Sequence, residues 1–161
     1  MLWLVGMMAS GKSTVGEAAA QDIGCAFVDM DLVLEARWGP LPRQWKEVGE
    51  DVFRQREADL VQELALGDRR MIVSTGGGVV LSQASVEAMR ASGTVVWLRA
   101  VPATVRQRLS GGPHRPPLAT RRVEDLDEER KDLYRDSADI IIDTDELPIE
   151  EVASKVVAVW K

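Results

Sequence analysis

Residues Gly6-Met7-Met8-Ala9-Ser10-Gly11-Lys12-Ser13 read G-x-x-x-x-G-K-S, set between an apolar run, Leu2-Trp3-Leu4-Val5, and a helical pattern from Ser13 to Gln21. A buried strand that must turn through glycines straight into a helix is a tight constraint on the local fold, and it has a chemical purpose. The glycines let backbone N–H groups turn inward as an anion-binding nest, and the following helix aims its positive end at the same point. Lys12 would reach the β- and γ-phosphates of a nucleoside triphosphate, and the Ser13 hydroxyl would coordinate Mg²⁺. Gly6, Ala9, Ser10, Gly11, Lys12, Ser13 and Thr14 are the candidate nucleotide contacts.

The 161 residues suit one domain with a single sizeable core, and a hydrophobic share of 45% is that of an ordinary globular chain. With 20 basic against 26 acidic residues the net charge is −6, which repels nucleic acid and anionic membranes. Basic side chains should therefore gather where anionic substrates sit. Cys25 is the only cysteine, so no intramolecular disulfide can form. The N-terminal apolar run lacks the basic flank of a secretory signal, and no segment approaches the roughly 20 apolar residues of a membrane span. A cytoplasmic monomer without membrane or nucleic-acid partners is the expectation.

Short β-branched-rich runs alternate with amphipathic stretches. Strands are expected at Leu2–Val5, Ala26–Asp29, Met71–Ser74, Thr94–Leu98 and Asp139–Asp143. Helices are expected at Ser13–Gln21, Leu32–Trp38, Asp51–Leu66, Gln83–Ala91, Ala103–Leu109, Glu124–Asp136 and Ile149–Trp160. Such alternation predicts an α/β fold, a parallel sheet covered by helices on both faces, with a crevice at the carboxyl ends of the strands. The stretch Ser110-Gly-Gly-Pro-His-Arg115-Pro-Pro-Leu118 can continue neither a helix nor a sheet. With a cation at its middle it reads as a lid closing over the phosphates, or else as a plain surface connector.

A phosphate loop needs an acid at the end of a neighbouring strand. Met71–Ser74 ends without one, which leaves Asp29-Met30-Asp31. In an extended chain residues i and i+2 face the same way, so both carboxylates could enter the crevice, one toward Mg²⁺ and one toward an acceptor hydroxyl; alternatively Asp31 only caps the next helix. Gly76-Gly77-Gly78 follows a buried strand and would let backbone N–H groups approach a ligand. Arg54 and Glu57 are i, i+3 neighbours on a helix, either a surface ion pair or, on the crevice side, a carboxylate holding a guanidinium rigid for an anionic ligand.

In this order the motifs resemble those of the shikimate kinase family over essentially the whole chain. Gly6–Thr14 resembles its phosphate loop, Asp29-Met30-Asp31 its D-x-D and Gly49-Glu50-x-x-Phe53-Arg54-x-x-Glu57 its G-E-x-x-F-R-x-x-E. Gly76-Gly77-Gly78 resembles its glycine triplet, Arg115-Pro116 its lid R-P, and Arg130-x-x-Leu133-Tyr134 its R-x-P-L-Y. The resemblance implies a fold like the nucleoside monophosphate kinases, a five-stranded parallel sheet ordered 2-3-1-4-5. One domain would span 1–161, with the phosphate loop at 6–14, an acceptor-binding region at about 31–60 and a lid at about 110–122. It also implies transfer of the γ-phosphoryl of ATP to the 3-hydroxyl of shikimate. Arg54 and Arg130 would then bind the shikimate carboxylate, Glu57 would support Arg54, and Gly76, Gly77 and Gly78 would line the acceptor. Asp31 would hold the ring hydroxyls and accept the proton. Lys12 and Arg115 would stabilise the transferring phosphoryl group, and Asp29 would hold Mg²⁺ through water.

The chain departs from the family pattern in places. It has Arg115-Pro-Pro117-Leu118-Ala119 where the family has R-P-L-L, a shorter segment from Arg115 to Arg130, and Asp132 in place of proline. Leu109 stands where a basic residue near the adenine is expected, whereas Pro148 resembles the family's adenine-side loop. Trp3, Trp97 and Trp160 read as core; Trp45 reads either as core or as an apolar wall for a carbocycle. Two alternatives stay open: a kinase for another polyol or cyclic hydroxy acid such as gluconate, and a catalytically silent binding protein.

Overall fold

The computed structural model describes residues 1–67, 70–110 and 121–160. Five strands, β1 (Leu2–Val5), β2 (Ala26–Asp29), β3 (Met71–Ser74), β4 (Thr94–Arg99) and β5 (Ile140–Asp143), pair in parallel in the order β2-β3-β1-β4-β5. That is the expected sheet. The helices are α1 (Lys12–Ile23), α2 (Met30–Trp38), α3 (Leu41–Ala65), α4 (Gln83–Ser92), α5 (Pro102–Leu109), α6 (Val123–Ser137) and α7 (Ile149–Val159).

Side-chain alternation along the strands decides which helix lies on which face. Leu2 and Leu4 of β1, Ile72 of β3, and Val96 and Leu98 of β4 point to one side, where they bury Val15 and Ala19 of α1 and Val152 and Val156 of α7. Trp3, Val5, Val73, Val95 and Trp97 point to the other, against Met30, Leu60, Met89, Leu126 and Tyr134 from α2, α3, α4 and α6. Trp3 and Trp97 are core as expected, and Trp160 packs partly buried at the edge of the first layer. β1, β3 and the middle of β4 are buried on both faces and read as continuous apolar runs, whereas the edge strands β2 and β5 are partly exposed; β1, β2 and β3 have the expected limits, β4 runs on to Arg99 and β5 starts at Ile140.

Besides shifts of one or two residues at other helix ends, two local features differ from expectation. The helical region before Arg54 starts at Leu41, with proline in its first turn, and runs to Ala65; Gly49, at φ 79° and ψ 171°, interrupts it. A side chain is strained at that φ, so glycine is what allows two helical segments to join there at an angle. The second difference concerns Asp29-Met30-Asp31. The chain is not extended through Asp31: α2 has begun by Met30, and Asp29 is its N-cap, accepting from the N–H groups of Asp31 at 3.0 Å and Leu32 at 3.4 Å. The expected i, i+2 strand geometry therefore does not apply, and the capping acid is Asp29 rather than Asp31.

Candidate active site

β1 and β3 are paired with Leu4 opposite Ser74, so the loops that follow them leave the sheet side by side. One is the phosphate loop, the other the glycine triplet, and the cleft between them has a volume of about 240 Å³. That lies below the roughly 300–1,000 Å³ usual for ligand clefts, so the space suits a compact molecule. Its lining includes Lys12, Ser13 and Thr14 on one side and Asp31, Trp45, Arg54, Glu57, Gly76, Gly77, Gly78 and Arg130 on the other. Residues far apart in sequence are thus brought to one place, as expected.

On the donor side Lys12 is folded back over its own loop, with Nζ donating to the carbonyls of Gly6 and Met7 at 2.8 Å each. This keeps the ammonium group over the nest, where phosphate oxygens would sit. The Ser13 hydroxyl donates to Asp29 Oδ2 at 2.5 Å and lies 3.3 Å from the Ser74 hydroxyl. A hydroxyl and a carboxylate in contact form a hard oxygen donor set at the phosphate end of the cleft. Mg²⁺ takes such ligands while keeping most of its water, so Ser13 and Asp29 fit that ion. Ser74, which touches Ser13, was not anticipated; no motif marks it.

The acceptor side is built from buried charges. Glu57 is almost fully enclosed, with a side-chain exposure of 3%, and accepts from Arg54 NH1 at 2.8 Å. Arg54 also pairs with the more exposed Glu50 at 3.5 Å, and its guanidinium lies 5.4 Å from the Trp45 ring centre and 5.5 Å from that of Phe53. The pair is therefore not a surface ion pair, and Trp45 lines the cleft. Burial pushes the Glu57 carboxyl above its usual value, against the lowering pull of Arg54, and the nearby Asp31 carboxylate pushes the same way as burial.

Gly76 and Gly78 have a steric purpose beyond the expected backbone approach. A Cβ on Gly76 would overlap the Glu57 carboxylate and lie 3.5 Å from Asp31 Oδ1; one on Gly78 would overlap the Arg54 guanidinium. The triplet makes room for the two side chains that brace each other. Arg130, buried in α6, donates NH1 to the Gly77 carbonyl at 3.2 Å, and its Nε lies 3.4 Å from Glu129. Asp132 points outward from the same helix and pairs with Arg135 at 2.6 Å, so this departure from the family pattern falls on a solvated face.

A second cleft flanks the phosphate loop on its other side, lined by Ala9, Ser10, Gly11 and Thr14 together with Arg108, Thr144, Leu147 and Ile149. Arg108 donates to the Ala9 carbonyl at 3.2 Å and to the Thr144 hydroxyl and carbonyl at 3.2 and 2.7 Å. A basic side chain thus does border this cleft, from Arg108, one position before Leu109. Pro148 is the N-cap of α7, and its neighbours Leu147 and Ile149, rather than Pro148 itself, line this cleft. Arg115 and most of the expected lid lie outside the described residues.

The family model for shikimate kinase matches residues 8–161. A shikimate kinase of Symbiobacterium thermophilum is 38% identical over 160 residues, covering 95% of this chain and 91% of that protein. One of Bordetella pertussis is 40% identical over 153 residues, 92% of this chain and 72% of the relative. Among solved structures, the shikimate kinase from Acinetobacter baumannii in complex with shikimate superposes with a TM-score of 0.91 at 31% identity, covering 97% of this chain and 89% of that one. The paired loops, the phosphate nest and the braced arginines thus sit in a chain that belongs to the shikimate kinase family, an ATP-dependent kinase that phosphorylates an alcohol group.

Proposed function

We propose that this chain transfers the γ-phosphoryl group of ATP to the 3-hydroxyl of shikimate, giving shikimate 3-phosphate and ADP. The observation that carries the reading is the shared cleft: Lys12 and Ser13 face Asp31, Arg54 and Arg130 across a space sized for a small acid. Two guanidinium groups on the acceptor side match a carboxylate, and Asp31 beside them matches a hydroxyl. A neutral polyol would give no reason to hold Arg54 against a buried Glu57.

In the reaction the acceptor oxygen bonds to phosphorus as the bridging bond to ADP breaks, and the hydroxyl proton passes to the Asp31 carboxylate. Arg54 and Arg130 grip the carboxylate and so orient the attacking hydroxyl; Glu57 keeps Arg54 in place; Gly76, Gly77 and Gly78 line the acceptor. Lys12 and, from the lid, Arg115 take up charge on the transferring group. Gly6, Ala9, Ser10, Gly11 and Thr14 hold the phosphates. Ser13 would ligate Mg²⁺ directly and Asp29 through water, and the ion would add charge neutralisation between the phosphates. Catalysis of this kind is mainly positioning and electrostatics.

The same reading has the enzyme act as a cytoplasmic monomer. Its net charge of −6 and single cysteine support that reading, and no described helix is long and apolar enough to cross a membrane. A coupled ADP-release assay with shikimate, quinate, gluconate and no acceptor tests the function. Turnover with shikimate well above the other three arms is expected. Preference for gluconate, or release that does not depend on an acceptor, would overturn the assignment.

A further inference from the structure

Tyr134 ends a motif yet has no part in the reading above. It is fully buried, its ring stacks on Trp97 with centroids 5.6 Å apart at 26°, and its hydroxyl donates to the Gly77 carbonyl. That carbonyl also receives the NH1 donor of Arg130 at 3.2 Å. Arg130 and Tyr134 stand one helical turn apart on α6, so both reach the same oxygen from one face. Gly77 in turn lies beside the phosphate loop: a Cβ built there would be in van der Waals contact, 3.4 Å from Met8 N, 3.6 Å from Gly6 O and 3.7 Å from the Tyr134 hydroxyl.

We propose that Tyr134 is a positioning residue for the acceptor: with Arg130 it saturates the Gly77 carbonyl, which locks the guanidinium plane and the Gly77–Gly78 peptide against the phosphate loop. A carbonyl oxygen has two lone pairs, and a guanidinium is a planar fork whose remaining donors point where the first bond sends them. With the phenol removed, one buried lone pair loses its donor, and the peptide and the guanidinium are free to turn together. Burial holds the phenol's pKa well above its ordinary value, so the hydroxyl remains a donor throughout any assay range. The inference rests on the proposal that Arg130 binds the acceptor carboxylate.

Tyr134→Phe keeps the ring and its stack and removes only the donor. We expect KM for shikimate to rise about tenfold, the effect of one hydrogen bond to a binding group, with KM for ATP within about twofold. Arg130→Lys alone should raise KM for shikimate further, and the double variant should be no worse than Arg130→Lys. Multiplied effects in the double variant, or equal shifts in both KM values, would overturn the positioning role. Trp97→Phe, which disturbs the stack but spares the hydroxyl, should lower the unfolding midpoint without moving KM for shikimate. The same KM shift there would assign the effect to packing, and the proposal would fail. An unchanged KM in Arg130→Lys sinks the carboxylate reading itself, whereas a large effect there beside a silent Tyr134→Phe sinks only the inference.

Discussion

The donor wall of the cleft comes from one short stretch of chain between Met8 and Thr14, joining β1 to α1, whereas the acceptor wall gathers Asp31, Arg54, Gly77 and Arg130 from α2, α3, the loop after β3 and α6. The first is largely backbone, with Lys12 held by the carbonyls of its own loop. The second is made of side chains whose charges are held in place by other buried groups, Glu57 for Arg54 and the Gly77 carbonyl for Arg130. A backbone nest is indifferent to most substitutions nearby. A wall of braced charges is not, because removing one partner leaves the other buried and unpaired. On the proposed function, substrate choice resides in the wall that is costlier to build.

The comparison breaks most visibly at Asp31. Asp31→Asn should lower kcat about a thousandfold, the scale of a lost proton acceptor, with the circular dichroism spectrum unchanged. A rate near wild type would remove Asp31 from the chemistry. Next in size, Arg54→Ala should raise KM for shikimate about a hundredfold with little change for ATP, and should cost about 3 kcal/mol of stability by stranding Glu57. Denaturant titration and steady-state kinetics read the two effects separately. A stability loss with both KM values intact would make Arg54 a fold residue only.

Glu57 carries a pH signature. Its folded pKa lies above the ordinary 4.5, so the folded state binds the proton more tightly than the unfolded chain. Its contribution to stability is full below the unfolded value and declines as pH rises through the raised one. Acceptor binding runs the other way, because only the carboxylate braces Arg54. Glu57→Gln should flatten the stability slope across that window and raise KM for shikimate about tenfold at neutral pH. A slope identical to wild type would show that Glu57 does not titrate there. The smallest effect belongs to the donor side: Arg108→Ala should raise KM for ATP about fivefold and leave that for shikimate alone. A shift in the shikimate value would mean that the two walls are less independent than their construction suggests.

The same contrast explains what could be read without coordinates. The limits of β1, β2 and β3 and the whole phosphate loop depend on neighbours in sequence, and they were legible residue by residue. That Arg54 and Glu57 meet a glycine pocket was not, since nothing local says that Gly76 and Gly78 pack against α3. Asp31 lines the cleft and Asp29 accepts from Ser13, but the pair is not extended: the cap that starts α2 changes the backbone one residue earlier than the extended pattern allows. Arg108 and Leu109 differ only in helical phase, which a helix of 8 residues leaves undetermined in the sequence. Tyr134 registered as one letter of a motif because its purpose lies in a carbonyl more than fifty positions away.

The pairing of β1 with β3 has a consequence for the evolution of this site. Thr75 ties both its N–H and its hydroxyl to the Leu4 carbonyl, at 3.1 and 3.0 Å, so the strands are still bonded at the point where the two loops depart. The gap between the phosphate nest and the glycine triplet thus opens from two adjacent strands, roughly 4.8 Å apart where the loops depart. An acceptor of different size cannot be accommodated by widening that gap. The side that can differ is the helical one, where Gly49 already lets two segments of α3 meet at an angle.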